Sequence, residues 1–240
     1  MRVLFRTPSF ALNAVANSLI FPGLLVVWFI AGSGGSGLDS GIPGLEQLFA
    51  SGQAEPIRAL VLSAMLAWLS GMNMVAASAF SREGARFWMG RGLALPVTTI
   101  VRGKLLFAMA YNIAAAVPAA IVCQLILGLG VGYLMASLAV GLIGLTWATV
   151  VSMAIDAFRP YLTWNHPQRA MKNSLNGIIA MLVVTGAVVG TGWLVSKAIE
   201  LGVDGPALLA AAAGLFAVMA IACARWLFVA AGNSYRRIEQ

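Results

Sequence analysis

Six long apolar stretches run through the chain, separated by shorter polar segments. They lie at about 8–31, 59–80, 104–128, 131–154, 174–196 and 206–229. Each is near or above the ~20 residues that an α-helix needs to cross the hydrocarbon core of a bilayer. None shows the alternating pattern of a barrel strand, and backbone groups in lipid must be hydrogen-bonded within their own segment. The pattern predicts an all-α polytopic integral membrane protein with six transmembrane helices, and residues 1–240 form a single transmembrane domain.

Composition supports the same fold class. Of the 240 residues, 60% are hydrophobic and 10% are charged, and the mean hydropathy is +0.90. A soluble domain could not bury that much apolar surface in one core. The net charge of +7 comes from short loops and forms no basic stripe on a folded face, so no nucleic-acid partner is expected. Lipid is the expected solvent for most of the chain.

The distribution of basic residues predicts the orientation of the helices. Loops that face the cytoplasm carry an excess of lysine and arginine. Only Arg58 and Lys197 fall on one side of the predicted spans, whereas the other side holds the remaining basic residues: Arg2, Arg6, Arg82, Arg86, Arg91, Arg102, Lys104, Arg159, Arg169, Lys172, Arg225, Arg236 and Arg237. Both termini and the loops at 81–103 and 155–173 are therefore expected in the cytoplasm, and the loops at 32–58 and 197–205 outside.

Small residues suggest how the helices pack. The outer loop near 129–131 is so short that the third and fourth spans should form a tight antiparallel hairpin. Small residues recur at four-residue spacing, as in Gly128, Gly132 and Ala136, or in Gly186 and Gly190. Such spacing lets helix backbones approach closely in lipid. Close helix contacts are therefore expected at these positions.

Motifs for catalysis or cofactor binding are lacking in the sequence. Gly103-Lys104 is followed by Leu105 and is no phosphate-binding loop. There is no paired Cys/His pattern for a metal, and both cysteines lie in apolar stretches. His166 stands alone between Asn165 and Pro167, where a residue at a helix start is the better interpretation. We expect no catalytic residue, no metal and no cofactor bound by this chain.

An energy source inside the spans is also missing. Coupled carriers ordinarily need an acidic residue or a broken helix within the membrane, and the predicted spans show neither. If the protein does work, another polypeptide supplies the energy. The basic, aromatic loops at 81–103 and 155–173 are where such a partner would bind.

The first of these loops contains a candidate short helix. Ser81 is predicted to cap a helix that continues through Met89 and includes Arg82, Glu83, Gly84, Arg86, Phe87 and Trp88. A helix this short is marginal alone in water and would be ordered by packing. Phe87 and Trp88 point about 100° apart, so one could face the bilayer and the other a partner. The alternative is a solvated positive-inside loop with aromatic anchors.

The second loop contributes Asp156, Arg159, Pro160, Trp164, Arg169 and Lys172. Pro160 is expected to end the fourth span, because proline disrupts a helix interior. Pro167 suits the first turn of a helix that carries Arg169 and Lys172 into the fifth span. Tyr161 and Trp164 could instead be simple anchors at the level of the lipid headgroups.

At these two loops the sequence resembles the type II ATP-binding-cassette (ABC) exporter permeases. The similar segments are Ser81-Arg82-Glu83-Gly84 with Phe87-Trp88, Leu95-Pro96-Val97, Gly103-Lys104, Asp156, Arg159-Pro160 and Thr163-Trp164-Asn165. The opening Leu4-Phe5-Arg6-Thr7-Pro8-Ser9-Phe10 is also similar. These segments are short, but they occur in order over most of the chain.

The resemblance implies a permease subunit in the bacterial inner membrane that pairs with a separate ATPase and with a second six-span unit, identical or similar. ATP would be hydrolysed by the partner. Ser81 to Trp88 would occupy the coupling helix that docks on the ATPase. The chain begins almost at its first span, without the longer amphipathic segment common in these permeases, so it is either a complete half-permease or one half of a longer design. A non-transporting membrane scaffold or assembly subunit is the alternative function.

Overall fold

The computed structural model describes residues 54–87, 95–163 and 175–237, together with scattered helical positions between 11 and 24. Within these ranges the chain forms helices and no strand. We name the α-helices α1 (Ala54–Met72), α2 (Met74–Ala77), α3 (Val97–Leu127), α4 (Val131–Phe158), α5 (Leu175–Glu200) and α6 (Gly205–Arg237), and a 3-10 helix covers Ser81–Arg86. The all-α prediction is confirmed for the described residues.

Five helical regions are long and apolar enough to cross a membrane. They are Glu55–Gly84, Val97–Leu127, Val131–Phe158, Leu175–Glu200 and Gly205–Arg236. They coincide with the second to sixth predicted spans, and the first region joins α1, α2 and part of the 3-10 helix. The first predicted span, 8–31, and most of the loop 32–58 lie outside the described residues. A multi-pass membrane protein fits these five helices, and the sixth span stays a prediction.

The helices are longer than hydropathy indicated. α1 begins at Ala54, so the predicted outer loop does not extend to Arg58. α3 begins at Val97, which places residues 97–103 inside a helix instead of in the loop 81–103. α4 continues to Phe158, beyond the predicted end at 154. The prediction stopped at charged residues, whereas the helices continue through them because those residues find partners in the bundle.

α4 is the central helix of the bundle. It packs against α1 and α6, and most side chains of its C-terminal half are buried. One apolar cluster joins Leu62 and Leu66 of α1 to Val140 of α4 and Leu209 of α6. α3 and α5 are peripheral, and few of their large apolar side chains are buried. That exposure suits helices surrounded by lipid.

Glycines permit the closest helix contacts, but at positions other than those predicted. A Cβ atom at Gly141 would lie 2.7 Å from Leu66 Cδ1, and one at Gly144 would lie 2.8 Å from Ala67 Cβ. Only glycine allows α4 to approach α1 so closely. By contrast, a Cβ at Gly132, Gly186 or Gly190 would meet no atom of the described chain within 4 Å. The prediction that these spaced glycines form close contacts is wrong for contacts among the described residues.

The two ends of the bundle differ in character. At one end, called the hairpin end, Gly128 closes α3 with φ +58°, and α4 begins at Val131. Arg58 Nη1 donates a hydrogen bond to the carbonyl of Leu127 at 2.8 Å there. The tight hairpin predicted near 129–131 is confirmed. The opposite end, called the basic end, contains Arg82, Arg102, Lys104 and Arg159.

Candidate functional site

The apolar stretch 59–80 is not one continuous helix, because it breaks at Asn73. This residue has an extended backbone, with φ −78° and ψ 109°, between α1 and α2. Its side-chain oxygen accepts a hydrogen bond from the Val75 N–H at 3.2 Å and so caps the restarted helix. Sequence analysis missed the break, and the expectation that none of the predicted spans is a broken helix is wrong. An asparagine inside an apolar run was the available signal, since asparagine favours N-caps over helix interiors.

Two cations donate hydrogen bonds to backbone carbonyls that follow the break, one of which, the Ser78 carbonyl, also accepts from the Arg82 N–H at 2.9 Å. Arg82 donates through Nη2 to the Val75 carbonyl at 2.8 Å and through Nε to the Ser78 carbonyl at 3.1 Å. Lys104, from α3, donates to the Ala79 carbonyl at 3.1 Å. Irregular backbone at membrane depth is tolerated only where its polar groups are bonded within the protein. Arg82 and Lys104 provide that condition.

Asp156 of α4 satisfies the backbone donors of the same segment. Its Oδ2 accepts from the Phe80 N–H at 2.7 Å and from the Ser81 N–H at 3.0 Å. Its Oδ1 accepts from the Ser81 hydroxyl and, at 3.1 Å, from Asn176 Nδ2 of α5. The carboxylate is fully buried. Four donors converge on it, as a buried anion requires.

Ser81 does not cap the short helix. The residue preceding the 3-10 helix is Phe80, which makes no side-chain cap bond. The Ser81 hydroxyl instead donates to Asp156 and accepts from the Tyr161 N–H at 2.8 Å. The capping prediction is wrong because a buried carboxylate competes successfully for the hydroxyl. Asp156 could not be assigned as that partner from sequence, since it lies 75 residues away.

Four charged side chains that the structure describes here form a group with two cations and two anions, which we call the charged cluster: Arg82, Glu83, Lys104 and Asp156. Glu83 Oε1 lies 2.8 Å from Lys104 Nζ. Two cations thus accompany two anions, which limits the cost of taking them out of water. Glu83, which lies in the segment expected to dock on the ATPase, thus pairs with Lys104 of the same chain.

Aromatic residues attach the segment to α6. The Phe87 side chain is buried, and its ring centroid lies 4.6 Å from that of Tyr235. Phe80 lies between Lys104 Nζ, at 4.4 Å from its ring centroid, and Tyr235, at 6.5 Å between centroids. Phe87 therefore faces the bundle interior. Trp88, its predicted counterpart on another face, lies outside the described residues.

The segment 81–87 is kinked. Gly84 has φ 50° and ψ −133°, a conformation that favours glycine. The predicted continuous helix from Ser81 to Met89 is therefore wrong over its described part, where a bent 3-10 turn runs from Ser81 to Arg86. Five residues beyond Gly84 are too few to restore a stable helix without tertiary contacts.

The second predicted site is described only in part. α4 ends at Phe158, just before Arg159 and Pro160, as proline predicted. The Arg159 carbonyl accepts from Asn176 Nδ2 at 2.7 Å, while its side chain is exposed. Asn176, which sequence analysis missed, therefore links Asp156 to the end of α4. The remaining predicted residues, Trp164, Arg169 and Lys172, lie outside the described residues.

Polar side chains also connect the helices near the break. Asn112 Nδ2 of α3 donates to Thr149 Oγ1 of α4 at 2.8 Å, and that oxygen lies 3.1 Å from Ser70 Oγ of α1. Hydrogen bonds of this kind hold helices together in lipid.

In the described ranges, no group of three His, Cys, Asp or Glu residues is placed to hold a metal ion.

Comparison of the chain with protein-family models, curated proteins and solved structures gives no match. In the described residues, the irregular segment 73–87 is hydrogen-bonded to α4 through Asp156 and to α3 through Lys104, and it packs against Tyr235 of α6. Arg82, Lys104 and Asp156 bond the backbone of that segment, and Glu83 pairs with Lys104.

Proposed function

We propose that this chain is the transmembrane permease subunit of an ABC exporter, forming the substrate pathway while a separate ATPase subunit supplies the energy. One observation carries the proposal: within the described residues, the segment 81–87 contacts three helices of the bundle, α3, α4 and α6. It contacts α4 through Asp156, α3 through Lys104 and α6 through Tyr235, and Asp156 in turn binds Asn176 of α5. A force applied to this short segment would reach four helices at once.

The break at Asn73 supports the same role. Hinges are a few residues at the ends of elements that absorb changes in φ and ψ. Asn73 separates α1 from α2 and the kinked segment, so the segment can move without bending a continuous 30-residue helix. A second bend is available at Gly84. Coupling to a moving partner requires this combination of firm attachment and local hinges.

The proposal includes two partners and a location. The ATPase would bind at the basic end, facing the bacterial cytoplasm, because positively charged ends of membrane helices are retained there. A second permease unit, identical or similar, would complete the pathway, because one bundle offers only half of a symmetric channel. Mass measurement of the complex in mild detergent tests this assembly. A 25.1 kDa monomer that still supports ATP-driven export would contradict it.

Site-specific photo-crosslinking tests the function itself. Arg102 and Thr163 are exposed at the basic end and lie outside the charged cluster, and Leu201 is exposed at the hairpin end. A photoreactive residue at either of the first two positions should capture a nucleotide-binding subunit with Walker motifs. The same residue at Leu201 should not.

The captured complex should also hydrolyse ATP after purification. If the variants insert normally and no nucleotide-binding subunit is captured at Arg102 or Thr163, the permease assignment is wrong. A membrane scaffold that lacks such a partner would give that result.

A further inference from the structure

One charged residue of α6, Arg225, lies on the outer face of the bundle among apolar side chains. Ile221 and Val229, four residues before and after it, are its neighbours on that face, and both are exposed. The Arg225 side chain is exposed as well. Exposed apolar faces of a membrane-spanning helix contact lipid. The Arg225 guanidinium therefore faces the bilayer and not the interior of the bundle.

The length of α6 places Arg225 at the level of the lipid headgroups. α6 begins at Gly205, directly after the exposed Asp204 at the hairpin end. At a rise of about 1.5 Å per residue, the part of α6 from Gly205 to Arg225 is about 30 Å long. The hydrocarbon core of a bilayer has about the same thickness. Arg225 therefore lies where the hydrocarbon ends on the side of the basic end.

An aromatic pair lies at the same level. Trp226 follows Arg225, and its ring centroid lies 6.2 Å from that of Phe158 at the end of α4. Both side chains are exposed. Tryptophan is enriched at the boundary between membrane and water. The aromatic pair and the length of α6 thus indicate the same depth for Arg225.

Arg225 has no ion-pair partner in the part of the chain that the structure describes. The described acidic residues of the basic end are Glu83, which pairs with Lys104, and Asp156, which is fully buried. The other described acidic residues belong to the hairpin end: Glu55, Glu200 and Asp204. The described part of a second copy would therefore offer no carboxylate at this level. A lipid phosphate is the anion that the bilayer supplies there.

We infer that Arg225 binds the phosphate of an anionic phospholipid in the leaflet at the basic end. A guanidinium can donate two parallel N–H bonds to phosphate oxygens. A zwitterionic headgroup carries its own cation, which the exposed Arg159, directly after Phe158, would repel. An anionic headgroup is therefore preferred. The site does not depend on the proposed transport function.

Trp226 is a fluorescent reporter beside the site. The full chain is reconstituted in phosphatidylcholine vesicles that contain increasing fractions of phosphatidylglycerol with brominated acyl chains, which quench tryptophan. Subtracting the signal of the Trp226→Phe protein isolates Trp226 from the other residues of this type, since the chain has seven tryptophans. Half-maximal quenching should need an about fivefold lower fraction of brominated phosphatidylglycerol than of brominated phosphatidylcholine, as expected for one basic residue at an anionic lipid. Equal quenching by the two lipids would overturn the inference.

A second tryptophan is the positional control. Trp193 is exposed on α5 toward the hairpin end, where Lys197 is already paired with Glu200. Quenching through Trp193, isolated with Trp193→Phe, should not distinguish the two lipids. The same preference at both tryptophans would mean general enrichment of the anionic lipid and would contradict a site at Arg225. This comparison needs only tryptophan replacements, so it holds even if an arginine variant inserts poorly.

Two matched arginine variants locate the phosphate. Arg225→Gln removes the proposed donor, whereas Arg102→Gln removes the same charge from an exposed position on α3 at the same end. The first variant should lose the preference at Trp226 and the second should retain it. A preference that persists in a normally inserted Arg225→Gln protein, or that both variants lose equally, would refute the site.

Two further measurements distinguish other occupants. Soluble glycerol phosphate should leave the preference at Trp226 unchanged, and loss of the preference would show a site for free phosphate instead of lipid. A higher ratio of protein to lipid should also leave it unchanged. If the preference disappears at the higher ratio, a second copy of the chain covers Arg225 and the assignment to a lipid is wrong.

Discussion

Asp156 binds Ser81 twice, through the backbone N–H at 3.0 Å and through the hydroxyl, although 75 residues separate them. This relationship holds the end of an interrupted helix against the central helix α4. The carboxylate substitutes for the backbone carbonyls that a continuous helix would present to the N–H groups of Phe80 and Ser81. The buried charge is therefore part of how the backbone is satisfied.

The variant Asp156→Asn tests this role. The amide keeps the shape of the side chain but removes the negative charge, and its NH2 group would oppose donors that now meet oxygen. We expect the free energy of unfolding in detergent to fall by about 3 kcal/mol, as when one partner of a buried ionic group is removed. Glu200→Gln, which removes an exposed ion pair, is the control and should cost under about 1 kcal/mol. Equal losses in the two variants would contradict the account.

The Glu83–Lys104 pair is tested by a double-mutant cycle. Glu83→Gln and Lys104→Gln each leave one partly buried charge without its partner, so the double variant should lose less stability than the sum of the two single losses. We expect a coupling of about 1–2 kcal/mol between the two sites. Chemical denaturation of the four proteins gives this value. Additive effects would show that the 2.8 Å contact contributes no net stability.

The glycine contacts make a different stability prediction. Gly144→Val would force methyl groups against Ala67, where a Cβ already lies only 2.8 Å away, and overpacking of this kind costs about 1–3 kcal/mol. Gly186→Val adds the same atoms in open space and should change thermal stability little. If Gly186→Val is the more damaging change, Gly186 has a packing partner outside the described residues.

Orientation can be measured by cysteine labelling. Thr163→Cys and Leu201→Cys place single exposed thiols at the basic end and the hairpin end, in a background that lacks Cys123 and Cys223. Ser81 would be a poor reporter, because it is fully buried. A membrane-impermeant maleimide should label Leu201→Cys in intact cells and Thr163→Cys only after permeabilisation. Labelling of both thiols in intact cells would overturn the orientation predicted from the basic residues.

The sequence by itself determined the five long helical regions, which correspond to the second to sixth predicted spans. Long apolar runs have one stable arrangement in lipid, because their backbone groups must be bonded locally. It also determined the hairpin at Gly128, since a turn of three residues leaves no other geometry. Pro160 likewise marked the end of α4.

Only the tertiary structure decided which polar residues act together. Hydropathy averages over a window and treats Lys104 and Asp156 as limits of a span, whereas both lie within helices because partners distant in sequence neutralise and bond them. The same reason explains Asn73: an isolated asparagine in an apolar run gives a weak local signal, and the break persists because Arg82 and Lys104 bond the carbonyls that follow it.

Spaced glycines indicated close packing, but only the placement of Leu66 and Ala67 opposite Gly141 and Gly144 decided where it occurs. Local hydrogen bonding fixed the helices, and long-range contacts fixed the site.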